Sequence, residues 1–184
     1  MNQAPPNQLT LLIGGARSGK SDLAVQIGMR HHDPDAITFV ATAQRFDDDM
    51  SARIDRHQAE RPAWPTVEAP VELRRVLTEL PTEQLVIIDC LTLWVSNLML
   101  EQWPDDAIRE YSAATAAVAA ARSGPTVVVS NEVGLGIHPG NELGRRYRDL
   151  LGRVNRQWAD AASRSLFLVA GRALPLHDPW ELLT

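Results

Sequence analysis

The segment Gly14-Gly15-Ala16-Arg17-Ser18-Gly19-Lys20-Ser21 leaves this chain few ways to fold. It fits G-x-x-x-x-G-K-[ST] at every fixed position. An apolar, β-prone run at residues 9–13 precedes it. A helical pattern follows from Lys20, with Leu23, Ala24, Ile27 and Met29 as its apolar side. Strand, glycine turn and helix in that order form a phosphate cradle. Gly14 and Gly19 let the backbone turn tightly, and successive N–H groups at a helix N-terminus form a nest for anions. Gly15, Ala16, Arg17 and Ser18 complete the loop. Lys20 brings charge to the β and γ phosphates, and Ser21 offers a hydroxyl to Mg²⁺.

The rest of the chain alternates in the same way. Strand-like runs fall at residues 36–41, 66–68, 85–89, 126–130 and 165–170. Helical patterns fall at about 47–60, from Pro70 to about Leu80, at 91–103, at 105–122, and from a cap at Asn141 to about Ala162. Such alternation predicts an α/β fold with three layers, a mainly parallel sheet covered by helices on both faces. The 184 residues form one domain by size, with residues 1–8 and 175–184 as its mobile ends. Asp89 ends the run Leu85-Val86-Ile87-Ile88. On a parallel strand beside the first, its carboxylate would reach the Mg²⁺ held by Ser21.

Composition removes several alternatives. The net charge of −5 argues against non-specific nucleic-acid binding. The single cysteine, Cys90, forms no intrachain disulfide and suits a reducing cytoplasm. No signal peptide is read at the N-terminus. No apolar run approaches the roughly 20 residues that span a bilayer, so membrane insertion is not expected.

A second constellation lies in the 53–62 region. On a helix, Arg53, His57 and Arg61 are spaced by four and share a face. Guanidinium groups flanking an imidazole suit a phosphate chain, keep the histidine neutral and leave it a competent nucleophile toward phosphorus. Spacing alone does not separate this from a solvated helix face.

Six segments then carry a resemblance: GGARSGKS (14–21), FVATAQRFDDDM (39–50), RIDRHQAERP (53–62), VIIDCLTLWVSN (86–97), VVVSNEVGLGI (127–137) and RRYRDLLGRVNRQWA (145–159). In this order they resemble the bifunctional adenosylcobinamide kinase / adenosylcobinamide-phosphate guanylyltransferase family of cobalamin biosynthesis. The resemblance implies a homotrimer of RecA-like P-loop domains with two reactions in one nucleotide site. ATP or GTP, with Mg²⁺, phosphorylates the aminopropanol hydroxyl of adenosylcobinamide. GTP then guanylylates a histidine, and the GMP passes to adenosylcobinamide phosphate. The family's H-x-x-x-R-P context is met here only by His57, followed by Ala59, Glu60, Arg61 and Pro62. Beyond the P-loop, the resemblance implies GTP contacts from Thr42, Ala43, Gln44, the 59–62 stretch, Glu68 and Asp89. Glu68 would accept hydrogen bonds from the guanine N1–H and 2-amino group. Two features depart from the family pattern: Gly140 and Glu142 replace an acid and a base in the loop after residue 136, and residues 173–184 match nothing in it. The pattern assigns no base to the corrinoid hydroxyl.

Two other readings compete with this one. A plain P-loop small-molecule kinase would form no covalent adduct, and a nucleotide-binding regulatory module would transfer nothing. A switch GTPase is disfavoured, because residues 130–133 read Ser-Asn-Glu-Val and no N-K-x-D motif occurs.

Overall fold

The computed structural model describes residues 7–44 and 61–183. Its strands are β1 (Leu9–Gly14), β2 (Ile37–Ala41), β3 (Thr66–Glu68), β4 (Leu85–Asp89), β5 (Thr126–Asn131), β6 (Arg164–Val169) and β7 (Arg172–Leu176). They form one sheet in the order β3-β2-β4-β5-β1-β6-β7. Every pairing is parallel except β6 with β7. The helices are α1 (Lys20–Met29), α2 (Leu73–Glu79), α3 (Leu91–Leu100), α4 (Asp105–Ala120), α5 (Glu142–Ala161) and the short α6 (Pro179–Leu183).

The central strands are apolar runs because both of their faces are covered. On one face Leu9, Leu11, Val86, Ile88 and Val128 pack with α2 to α5, around the fully buried Trp94 and Trp158. On the other face Leu12, Ile37, Leu85, Ile87, Val127 and Val129 pack with Ala24 of α1 and Trp64. Each large apolar side chain buried this way stabilises the fold by about 1.5–3 kcal/mol. Helix α1 lies close to the sheet at Gly28, where an added Cβ would stand 2.4 Å from the Trp64 ring.

Four expectations need correction. Asp89's strand is not beside the first: β5 lies between β4 and β1, because the strand that closes the gap is made later in the chain. Met29 is exposed, since α1 turns only Lys20, Ala24 and Gly28 fully inward. The helix expected from Pro70 begins at Leu73 instead, with Pro70 and Val71 lending their carbonyls to α3 side chains. The C-terminal end is also structured, as β7 pairs with β6 and α6 follows it. At the other end Asn7 Nδ2 donates to the Ala161 carbonyl at 2.7 Å. The helix expected at 47–60 lies outside the described residues.

The arginine run is spent within the chain. Arg146 binds Asp105 and the Trp103 carbonyl, Arg148 binds Asp149 and His138, and the Tyr147 hydroxyl donates to the Thr92 carbonyl.

Candidate functional site

The phosphate loop is shaped by close approaches. Gly14 sits under the β6 backbone, where a Cβ would meet the Leu168 carbonyl oxygen at 2.3 Å. Gly19 precedes α1 at φ 95°, a left-handed conformation that glycine adopts without strain. Between them Gly15, Ala16 and Arg17 are exposed, and Ser18 is buried. The turn between β6 and β7 packs on the outside of this loop, and Gly171 N–H donates to the Ser18 carbonyl at 3.0 Å. Lys20 Nζ donates to the Gly15 carbonyl at 2.6 Å and to Ser18 Oγ at 3.2 Å, which holds the ammonium over the loop. Burial lowers the Lys20 pKa, and the charge on Asp89 works against that shift.

Alternation along β4 puts Asp89 on the face of Leu85 and Ile87, the face that carries α1. One strand removed from β1, it still shares a cavity of about 290 Å³ with Ser21, Asp22, Val25, Gln26, Phe39 and Arg61. Ser21 and Asp89 therefore supply a hydroxyl and a carboxylate to one space. That oxygen-donor set fits Mg²⁺, which takes one or two protein oxygens and completes its shell with phosphate and water. Among the described residues no cluster of three or more His, Cys, Asp or Glu offers a metal site of another kind.

Arg61 enters the cavity from the chain leading to β3. Its guanidinium stacks over the Phe39 ring at 4.0 Å and donates to Thr66 Oγ1 at 2.7 Å. Burial lowers its pKa, with Asp89 opposing. Stacking fixes the guanidinium plane at the wall of the cavity. Pro62 is half-buried, and its carbonyl accepts from Trp64 N–H. Glu68 stands exposed at the end of β3, paired in register with Ala41. Arg53, His57, Ala59 and Glu60 lie outside the described residues.

Thr42 occupies a different place from the one its motif suggests. It is fully buried, and its hydroxyl donates to the Cys90 carbonyl at 2.7 Å and accepts from Cys90 N–H at 2.8 Å. It thereby clasps the cis Asp89–Cys90 peptide. Behind it, Asn97 Nδ2 donates to the Thr42 carbonyl at 2.7 Å and to the Pro70 carbonyl at 3.0 Å. Together they join the ends of β2, β3 and β4 beneath the carboxylate. Ala43 and Gln44 are half-buried just beyond. Burial and the neighbouring Asp89 push the Cys90 thiol up to about 12, so it stays protonated and inert.

Sequence reasoning missed Asn97, the Thr42 clasp and the Gly171 contact. Asn97 was visible only as a polar interruption in an apolar run. The Phe39–Arg61 stack had no signal, because its members come from different elements.

A family model described as cobinamide kinase / cobinamide phosphate guanyltransferase matches residues 10–176. The bifunctional adenosylcobalamin biosynthesis protein CobP of Pseudomonas aeruginosa is 40% identical over 168 residues, covering 90% of this chain and 95% of that protein. The corresponding CobU proteins of Salmonella typhimurium and Escherichia coli are 38% and 36% identical, each covering 89% of this chain and 96% of the relative. Among solved structures, a prototypical ATPase from the type III secretion system of pathogenic bacteria superposes with TM-score 0.56 at 12% identity. That match covers 88% of this chain and 51% of the ATPase. The flagellar accessory protein FlaH of Methanocaldococcus jannaschii gives 0.51 at 14% identity, covering 94% and 79%. At such identities the likeness concerns the fold alone, which is the RecA-like P-loop arrangement.

Proposed function

Because the chain belongs to the cobinamide kinase / cobinamide phosphate guanyltransferase family, we propose that it performs both transfers in the one nucleotide site formed by the P-loop and the Arg61–Asp89 cavity. The observation that carries this reading is the meeting of Ser21, Arg61 and Asp89 in one cavity, with the Lys20 ammonium held close enough to feel the Asp89 charge.

In the kinase step the loop N–H groups, Lys20 and Arg17 hold the triphosphate of ATP or GTP. The aminopropanol oxygen of adenosylcobinamide bonds to the γ phosphorus as the β–γ bridge breaks. When bound, Mg²⁺ would be held by Ser21 and Asp89 and would supply charge neutralisation on the phosphates. In the guanylyl step His57 attacks the α phosphorus of GTP. A P–N bond forms, the α–β bridge breaks and pyrophosphate leaves. Arg61 steadies the phosphate chain by its stacked guanidinium. A phosphate oxygen of adenosylcobinamide phosphate then displaces His57, giving adenosylcobinamide-GDP. Glu68, exposed at the sheet edge, is the guanine-reading acid. The Ala43–Gln44 and 59–62 stretches line the nucleotide, while Thr42 serves by fixing the Asp89–Cys90 peptide.

The assembly we propose is a homotrimer. The edge strand β7 and helix α6 expose Leu174, Leu176, Trp180, Leu182 and Leu183, an apolar stripe suited to burial against further copies. No helix among the described residues is long and apolar enough to cross a membrane, and the proposed location is the cytoplasm.

Incubation with α-labelled GTP and Mg²⁺ tests the reading. We expect an acid-labile, alkali-stable protein adduct, released by adenosylcobinamide phosphate and absent from His57→Ala. Phosphorylation of adenosylcobinamide without any adduct would leave a plain P-loop kinase.

A further inference from the structure

The kinase step needs a group to take the proton from the attacking hydroxyl, and the end of β5 presents one. β5 lies between β1, which leads into the P-loop, and β4, which carries Asp89. Its end is pinned from three sides. Asn131 N–H donates to Thr92 Oγ1 at 3.0 Å, and the Asn131 carbonyl accepts from Asn155 Nδ2 at 3.0 Å. Glu132 N–H donates to the Gly14 carbonyl at 3.1 Å, which ties it to the first P-loop glycine. The chain then enters an exposed loop, so these bonds fix the one acidic residue at the loop's root.

The side chain is fixed as well. Glu132 Oε1 accepts from Gly134 N–H at 2.6 Å, and Oε2 makes no hydrogen bond among the described residues. Ser130 Oγ donates to Asn155 of α5, so the end of β5 before Glu132 is held against the α3–α5 side of the sheet. Helix α1 and the P-loop lie on the opposite face, which is where the leaving phosphates are held. In-line transfer needs the acceptor oxygen across the γ phosphorus from the leaving oxygen, and Glu132 borders the phosphate loop through its bond to Gly14. Beyond Glu132 the loop exposes Leu135 and Ile137, an apolar surface for a bulky acceptor.

We infer that Glu132 is the general base of the phosphoryl-transfer step, a role resting on the kinase half of the function proposed above. The acceptor O–H proton passes to Glu132 Oε2, the acceptor oxygen bonds to the γ phosphorus, and the β–γ bridging oxygen departs with the nucleoside diphosphate. Asp89 and Ser21 remain on the metal side.

The test is steady-state phosphorylation of adenosylcobinamide by the full chain with ATP or GTP and Mg²⁺. Glu132→Gln keeps an oxygen for Gly134 N–H but cannot take a proton. The expected result is a kcat lower by about 100- to 10,000-fold, with KM, nucleotide binding and GMP labelling of the protein within about 3-fold of wild type. Gly134→Ala supplies a second reading without altering the carboxylate. Its Cβ would stand 2.7 Å from Glu132 Oε1 and must displace it, so kcat again falls with KM retained. Active wild-type chain and equally active Glu132→Gln would overturn the base assignment alone. No transfer by the wild-type chain would overturn the kinase reading and the assignment with it.

Discussion

Replacing Asn97 by Asp attacks the frame behind the site with almost no change of shape. Asn97 is 2% exposed, and its Nδ2 donates to the Thr42 and Pro70 carbonyls at 2.7 and 3.0 Å. A carboxylate has no hydrogens, so in the variant both carbonyls face a buried anion. The carboxyl escapes by protonating, which raises its folded pKa above the unfolded value of about 3.9. Between those two values the native state binds more protons than the unfolded state. Stability is then retained at acid pH and falls as pH rises, by about 1.4 kcal/mol per unit. Below the unfolded pKa only one of the two hydrogen bonds is lost, about 1 kcal/mol. A folded pKa near ~7 adds roughly 4 kcal/mol, so the variant is destabilised by about 5 kcal/mol at about pH 8. That is a large share of the ~5–15 kcal/mol typical of a domain, and it lowers the melting point by roughly 10–20 °C at this chain length. Urea unfolding followed by circular dichroism at about pH 5 and about pH 8 measures it. Stability curves parallel to wild type and within about 1 kcal/mol at both pH values would refute the reasoning.

Two further outcomes test the site and the core. Lys20→Met should leave the nucleotide-free chain at least as stable as wild type while weakening triphosphate binding by roughly 100-fold or more in calorimetry. Since burial lowers the Lys20 pKa from 10.5, its native form binds fewer protons, and wild-type stability should gain a rising component up to about pH 10.4 that the variant lacks. Gly28→Ala should destabilise by about 1–3 kcal/mol despite alanine's better helix propensity, because its Cβ would crowd the rigid Trp64 ring at 2.4 Å; a thermal midpoint at or above wild type would contradict this.

The phosphate loop was legible because strand, glycines, lysine and helix are contiguous, so local chemistry specifies local geometry. Helix α5 was legible to within a residue, since Asn141 caps it as expected by accepting from Gly144 N–H. Strand order was not, because pairing between distant strands leaves no local signal. That is why Asp89 was expected one strand nearer to β1 than it lies. β7 escaped notice because Arg172–Leu176 is a short, fully exposed edge strand holding Pro175, with no alternation to mark it. The Thr42-Ala43-Gln44 segment was read as a nucleotide contact, but hydrogen-bond partners 48 residues away decide what the Thr42 hydroxyl does.

The place of β1 in the sheet also bears on how the chain is made. β1 leaves the ribosome well before its neighbours β5 and β6, and Ser163 bonds Leu9 across 154 residues. Until β5 and β6 emerge, an apolar strand waits unpaired, the condition under which nascent chains aggregate or recruit chaperones. Nucleotide cannot stabilise the growing polypeptide in that interval. The Leu168 carbonyl and Gly171 N–H that close around the phosphate loop come from β6 and the turn after it, made long after the loop itself. The nucleotide site is therefore assembled late, and rare-codon or temperature effects on yield should act before its ligand can rescue the fold.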